Sequence, residues 1–167
     1  MKTALNKILL IVLLLCLTVL PLTAQTGKFY STNNELSSSL INQIFQDKRG
    51  FIWIATEYGL NRFDGLRFSN YKHVSGDSIK NNYVRTLFED SRQNLLVGCI
   101  DGLMKYDSET DTFREIPMIR AGKRVFPHIT QMQKLHNGEI WVVTTGQGIF
   151  RLDEEKQQAE AIDAIMR

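Results

Sequence analysis

The sequence has few of the residues that most often build chemical centres. Its 167 residues include two cysteines and three histidines. Cys16 lies in an apolar N-terminal run, and Cys99 falls on a predicted strand, where we expect a small buried residue without a disulfide partner. His73, His128 and His136 lie far apart and lack the spacing of a zinc site. We therefore expect no metal site and no bound cofactor.

Charge of one sign is not concentrated in any part of the chain. The formal net charge is +2 at pH 7, and no run of like charge exceeds a few residues. Nucleic-acid binding needs a clustered basic face, so we expect no nucleic-acid partner for this segment. A nucleophile elbow and a glycine-rich phosphate loop are also missing. The alternating carboxylates of Asp107–Asp111 lack the glycine and the distal glutamate of an EF-hand, and so indicate a polar turn.

A long apolar run occurs only at the N-terminus. Two lysines precede Ile8–Leu20, a 13-residue apolar run broken only by Thr18, and a small residue, Ala24, follows shortly after. This pattern predicts a secretory signal peptide over 1–24, cleaved after Ala24. A transmembrane anchor needs about 20 apolar residues, and the residues before Cys16 do not fit a lipoprotein cleavage site. We expect no membrane span in the mature segment.

The mature segment contains a stretch that returns twice. The stretch Gly50–Gly65 is GFIWIATEYGLNRFDG; 43 residues later the chain has QNLLVGCIDGLMKYD, and a third copy is GEIWVVTTGQGIFRLD. Aromatic and β-branched residues fill two short strands in each copy, and Gly and Asp mark the strand ends. A period of this length is the signature of a repeat architecture.

Each repeat divides into four extended segments, which is the unit of a β-propeller blade. A β-sandwich also has many short strands, but it does not require its hairpins to repeat in sequence, so the repeat favours the propeller. The predicted strands are Ile41–Gln46, Phe51–Thr56, Leu60–Phe63 and Arg67–Lys72 in the first copy, Val84–Glu89, Leu95–Cys99, Leu103–Tyr106 and Thr112–Ile116 in the second, and Ile129–Lys134, Ile140–Thr144, Ile149–Leu152 and Gln158–Ile162 in the third.

We therefore expect an all-β chain, a partial β-propeller of about three four-stranded antiparallel blades of 43–46 residues. A propeller closes with typically about four to eight blades, so three blades leave two open flanks. The chain is interpreted as an N-terminal piece of a longer protein or a truncated gene product. The predicted parts are a lead-in over 25–39 with a strand at Lys28–Ser31, and an incomplete propeller over 40–167 with blades at about 40–80, 81–125 and 126–167.

The segments LSSSLINQIFQDKRGFIWIATEYGLNRFDG and NNYVRTLFEDSRQNLLVGCIDGLMKYD resemble the two-component regulator propeller repeat. Behind a signal peptide, this repeat is similar to the start of bacterial hybrid two-component histidine kinases. The resemblance implies a periplasmic, non-catalytic sensor segment whose ligand is an oligosaccharide. It also implies a longer, inner-membrane-anchored parent, a homodimer, with further blades and downstream kinase domains. The phosphoacceptor histidine, ATP lid and receiver aspartate of such a kinase have no counterpart in this chain.

Residues that recur in the copies are interpreted as scaffold, because blades need them for packing. Trp53 and Trp141 occupy the same place in strand two, where we expect core positions. Arg62, Lys105 and Arg151 occupy the same place in strand three, where we expect polar contacts between blades.

Binding residues are expected where the copies differ. In a propeller, the loops between strands two and three share a face with the linkers between blades, and this is the usual ligand face. A tyrosine there could stack on a sugar, and carboxylates and amides could bond its hydroxyl groups. The same residues also fit ordinary turns. The weak candidates for ligand binding are Glu57, Tyr58, Asp101, Gln147 and His128.

Two alternative functions remain open. Some periplasmic lyases and glycosidases are propellers with a similar strand-two signature, and catalysis would need a convergent acid/base pair such as Glu57 with Asp101 or His128. A propeller can also serve as a scaffold that only binds a partner protein.

Overall fold

A computed structural model describes residues 35–73 and 79–162, together with Gly27, Tyr30 and Ser31. Every regular element in these ranges is a β-strand, so the predicted all-β class is confirmed. Tyr30 and Ser31 are not in a strand. The predicted signal peptide and the other half of the predicted lead-in strand, Lys28 and Phe29, lie outside the described residues.

The strands form three sheets that follow one another along the chain, and each innermost strand contacts the innermost strand of the next sheet. Twelve of the strands match the predicted segments to within about one residue at each end. The first sheet contains β1 (Ile41–Gln46), β2 (Ile52–Thr56), β3 (Gly59–Phe63) and β4 (Phe68–Tyr71). The second contains β5 (Val84–Glu89), β6 (Leu95–Cys99), β7 (Gly102–Asp107) and β8 (Thr112–Ile116). The third contains β11 (His128–Lys134), β12 (Ile140–Thr145), β13 (Ile149–Asp153) and β14 (Gln158–Ala161).

A hairpin that the repeat does not predict enlarges the third sheet. Its strands are β9 (Met118–Arg120) and β10 (Lys123–Val125), and β9 pairs in parallel with β14. The sheet therefore has six strands, in the order β10-β9-β14-β13-β12-β11. In sequence, these residues fall in the range expected for the second blade. In the structure the chain leaves β8 and adds the hairpin to the outer edge of the third sheet.

Two apolar cores hold the sheets face to face. Trp53, Ala55 and Leu60 of the first sheet pack with Val84 and Leu87 of the second, and all five are buried. The core position predicted for Trp53 is therefore confirmed, whereas Trp141, on the outward face of the third sheet, is only half-buried.

Glycine at position 98 is required by the second core. A Cβ there would lie 2.7 Å from Cγ2 atoms of both Ile129 and Thr86. Ile129 belongs to β11, so the close approach of the second and third sheets needs a residue without a side chain at this point.

The recurring arginine of the first copy connects two sheets, as predicted. The guanidinium of Arg62 lies 3.1 Å from the carboxylate of Asp111, which belongs to the turn between β7 and β8. The same carboxylate accepts hydrogen bonds from the hydroxyls of Tyr71 and Tyr106. In the third copy, Arg151 instead pairs with Glu139 of its own sheet at 3.2 Å.

One face of the first sheet lacks the cover that the other sheets have. Ile41 is 44% exposed and Ile44 is 62% exposed. One and two repeats later, the corresponding residues are at most 6% exposed because the preceding sheet covers them. These corresponding residues are Val84 and Leu87 in β5 and Ile129 and Met132 in β11.

Candidate functional site

The loops between strands two and three lie beside the linkers between sheets, as a propeller requires. The amide of Gly59, at the β2–β3 turn, donates to the carbonyl of Asn82 at 2.8 Å. The side chain of Asn81 reaches Asp101, at the β6–β7 turn, at 3.4 Å. Loops and linkers therefore form one surface, which we call the linker face.

Tyr83 brings two of the predicted residues together on the linker face. Its hydroxyl donates to Oε1 of Glu57 at 3.0 Å. Its ring meets the imidazole of His128 edge-on, with 6.4 Å between the ring centroids. Glu57 follows β2, Tyr83 precedes β5 and His128 begins β11, so three sheets meet at this half-buried tyrosine.

Two polar atoms on the linker face are buried and have no hydrogen-bond partner among the described residues. They are Oδ1 of Asp101 and Nε2 of His128. Buried polar atoms are nearly always paired, so such atoms require an explanation, and a ligand group is one. Both belong to residues chosen from the sequence, and Asp101 is linked to Tyr83 through Asn81, whose side-chain oxygen accepts from the Tyr83 amide at 2.8 Å.

The remaining two candidates lie on the linker face away from Tyr83. Tyr58 is 66% exposed at the tip of the β2–β3 turn. The carbonyl of Gln147 accepts a hydrogen bond from Arg120 of the hairpin. Among the described residues, no hydrogen bond or ring contact joins Tyr58 or Gln147 to Tyr83.

The hairpin adds a second cluster, which the sequence reading did not identify. Glu115 of β8 pairs with Lys80 at 3.1 Å and with Arg124 of β10 at 2.8 Å. The Lys80 ammonium lies 3.9 Å from the ring centroid of Phe126, which is 49% exposed. Burial raises the pKa of Glu115, but hydrogen bonds and charge from Arg124 and Lys80 outweigh it, so the pKa lies below its usual value.

Cys99 behaves as a small core residue. It is 1% exposed, and burial raises the pKa of its thiol to about 12, with the nearby Asp101 acting in the same direction. The thiolate is the reactive form of cysteine, so this thiol is inert near neutral pH. In residues 35–73 and 79–162, no group of three His, Cys, Asp or Glu could hold a metal ion. The same residues include no helix that could cross a membrane.

Comparison with known proteins points to one kind of propeller. Residues 35–58 match the family model described as two component regulator propeller. Histidine kinase P4 of Formosa agariphila is 37% identical over 71 residues, which cover 40% of this chain and 5% of that protein. The extracellular domain of a hybrid two component system from B. thetaiotaomicron is 29% identical, with a TM-score of 0.69, over 79% of this chain and 19% of that one. The chain thus spans a small part of these relatives.

A more distant likeness shows the fold alone. A virginiamycin B lyase from Staphylococcus aureus, in complex with quinupristin, has a TM-score of 0.56 and 17% identity over 77% of this chain and 42% of that one. The match to the regulator repeat, the three sheets and the extracellular neighbours agree with one another. Residues 35–58 thus match the two component regulator propeller model, and the chain has a β-propeller fold.

Proposed function

We propose that this segment is a non-catalytic, periplasmic sensor module of a two-component signalling protein, and that it binds a glycan fragment on the linker face. The observation that carries the binding proposal is the meeting of Glu57, Tyr83 and His128 from three consecutive sheets. The extracellular location of the similar domains supports export of this segment. The longer parent, its membrane anchor, its kinase domains and its dimeric state are parts of the same proposal.

The residues of the linker face have the chemistry that a sugar requires. A tyrosine ring offers an apolar face for the C–H groups of a pyranose, and its hydroxyl gives a fixed polar contact. The carboxylates of Glu57 and Asp101 can accept hydrogen bonds from sugar hydroxyls, and the unpartnered Oδ1 of Asp101 has no competing partner among the described residues. Tyr58 follows Glu57 directly in the chain, and its exposed ring would offer a further apolar face to a longer sugar.

Binding at this point would couple the sheets to one another. Because Glu57, Tyr83 and His128 belong to different sheets, a ligand that contacts all three favours one arrangement of those sheets over others. A ligand shifts a conformational equilibrium only by its difference in affinity for the states. A site shared by three blades provides such a difference, which a downstream domain could sense.

The first prediction concerns glycan binding. Titration of neutral oligosaccharides into the chain, followed by calorimetry, is expected to find saturable binding that Glu57→Gln weakens by about tenfold, since a charged hydrogen-bond acceptor is replaced by a neutral one. Glu155→Gln is the control, because Glu155 is exposed on the β13–β14 turn. Equal affinity in the two variants would place the ligand elsewhere, and no binding by any oligosaccharide would refute the glycan proposal.

Catalysis is the alternative that the linker face itself suggests. Glu57 and His128 both contact Tyr83, and they are the acid/base pair that a lyase or glycosidase would use. Mass spectrometry of oligosaccharides incubated with the chain distinguishes the two functions. A sensor returns the sugars unchanged, whereas an enzyme yields shorter or unsaturated products that disappear with Glu57→Gln. A scaffold would bind a protein partner and no sugar.

A further inference from the structure

The innermost strand of each sheet contains a β-bulge at the same place in the repeat. The pairing of β1 with β2 shifts between Ile41 and Gln43, and that of β5 with β6 shifts between Val84 and Thr86. The pairing of β11 with β12 shifts in the same way at the corresponding position. A bulge adds a residue to one strand and redirects its side chain, and bulges are over-represented next to active sites.

The bulged residues differ, although the positions around them repeat. They are Asn42, Arg85 and Thr130. Two residues after each bulged residue, every copy has a large apolar side chain, such as Ile44 in the first copy and Leu87 in the second. Packing therefore keeps the positions beside the bulge alike and leaves the bulged residue free to vary.

A cavity of about 530 Å³ lies where the three innermost strands converge. This volume is within the usual range for small-molecule sites, about 300–1,000 Å³. Its polar lining comes from all three bulges and from amide side chains of β11. Among the described residues, the lining has one cation, Arg85, and no carboxylate.

Arg85 is held in place by Asn42, and the described residues use only one of its side-chain N–H groups. Its Nη1 donates to Oδ1 of Asn42 at 3.2 Å, and Nδ2 of Asn42 donates to the carbonyl of Val84 at 2.8 Å. Arg85 is exposed, and no carboxylate pairs with it among the described residues. A guanidinium presents five N–H donors in a planar fork that matches a carboxylate or phosphate.

We propose that this cavity between the three innermost strands binds a small oxyanion, a carboxylate or a phosphate, on Arg85. Asn42 positions the guanidinium, and Gln131, which also lines the cavity, completes the site with its side-chain amide. The hydroxyl of Thr130 already donates to the carbonyl of Val143 at 3.2 Å. The site does not include Glu57, Tyr83 or His128, so it goes beyond the proposed glycan-binding function.

Nuclear magnetic resonance of the labelled chain tests this site directly. Sodium phosphate and sodium glucuronate are titrated separately, with sodium chloride at matched ionic strength and neutral glucose as controls. The side-chain Nε–H signal of Arg85 and the backbone signals of β1, β5 and β11 are expected to shift saturably with at least one of the two oxyanions. A response to phosphate alone identifies a phosphate site, and a response to glucuronate alone identifies a carboxylate site.

Matched variants decide whether Arg85 carries the binding. Arg85→Gln is expected to weaken oxyanion binding by at least about tenfold, and Arg85→Lys by less, because it keeps the charge but loses the fork. Arg92→Gln makes the same charge change on the exposed β5–β6 turn and should leave the affinity unchanged. Unchanged affinity in Arg85→Gln, or equal shifts with sodium chloride, would overturn the proposal. Glu57→Gln should not alter oxyanion binding, so a failure of the glycan proposal can be distinguished from a failure of the oxyanion proposal.

Discussion

At the scale of single residues, Asp47 shows how one side chain connects a turn to the core. Its buried carboxylate accepts from the amides of Arg49 and Phe51, both at 3.0 Å, and from the Trp53 indole at 2.8 Å. The third copy has Leu135 at the matching position. There the Trp141 indole donates to Glu139 at 3.1 Å instead.

The loss of Asp47 should therefore destabilise the chain more than the loss of Glu139. Asp47→Ala leaves the indole N–H of the fully buried Trp53 without a partner, which costs about 1–3 kcal/mol. Glu139→Ala removes the acceptor of the Trp141 indole, but this tryptophan is only half-buried, so water can accept the hydrogen bond instead. Urea denaturation followed by tryptophan fluorescence measures both free energies of unfolding. Equal losses would contradict this account of the turn.

The candidate site was only partly predictable from single residues. Loop position in the sequence indicates Glu57 and His128, and the structure brings both into contact with Tyr83. Tyr83 was not identified, because its bond to Glu57 joins residues distant in sequence. A signal was present, since Tyr83 and His128 occupy the same place in their repeats, directly before Val84 and Ile129.

At the scale of elements, the hairpin of β9 and β10 is the feature that the sequence did not predict. Its strands have three residues each, too few to show an alternating pattern, and they carry the charged Lys123 and Arg124. Gly122 is a turn signal in the sequence, and in the structure Ala121 and Gly122 have φ angles of 48° and 72°. The other twelve strands were predictable because three copies of one pattern confirm each other.

Acid should loosen this hairpin from the second sheet. The pKa of Glu115 lies below its ordinary value of 4.5 in the folded chain. Its pairs with Lys80 and Arg124 therefore contribute stability above that value, and the contribution is lost as the pH falls through the lower, folded pKa. Hydrogen exchange of residues 118–125 is expected to speed up over this range relative to the second sheet.

Substitution of the carboxylate isolates its contribution. Glu115→Gln should give fast exchange in the hairpin at neutral pH and remove the acid dependence. Glu109→Gln, on the exposed β7–β8 turn, should behave like the unchanged chain. An acid response that persists in Glu115→Gln would mean that another group controls the hairpin.

At the scale of the whole molecule, the repeat predicts the architecture, and the number of repeats predicts open flanks. Burial of Val84, Leu87 and Ile129 by the preceding sheet shows what a blade of this kind requires. Ile41 and Ile44 occupy the same places without that cover. The residues of β1 alone do not indicate this exposure, because the pattern gives each blade the same apolar residues, so the prediction rested on the number of repeats.

The uncovered flank should make the isolated chain associate. Light scattering after size-exclusion chromatography is expected to give a mass above that of one chain. The double substitution Ile41→Lys and Ile44→Glu should shift it toward the monomer, because charged side chains oppose burial. Leu66→Glu is the control, since Leu66 is 82% exposed on the β3–β4 turn. A compact monomer for the unchanged chain would contradict this view of the flank.

Hydrogen–deuterium exchange with and without a bound oligosaccharide tests whether the linker face, where three sheets meet at Tyr83, is the ligand-binding surface of a sensor. We expect simultaneous protection in three segments, 56–59, 80–84 and 126–129, and no change in the turns at the opposite ends of the sheets, such as 91–94. Protection confined to those opposite turns, or to a single sheet, would contradict it.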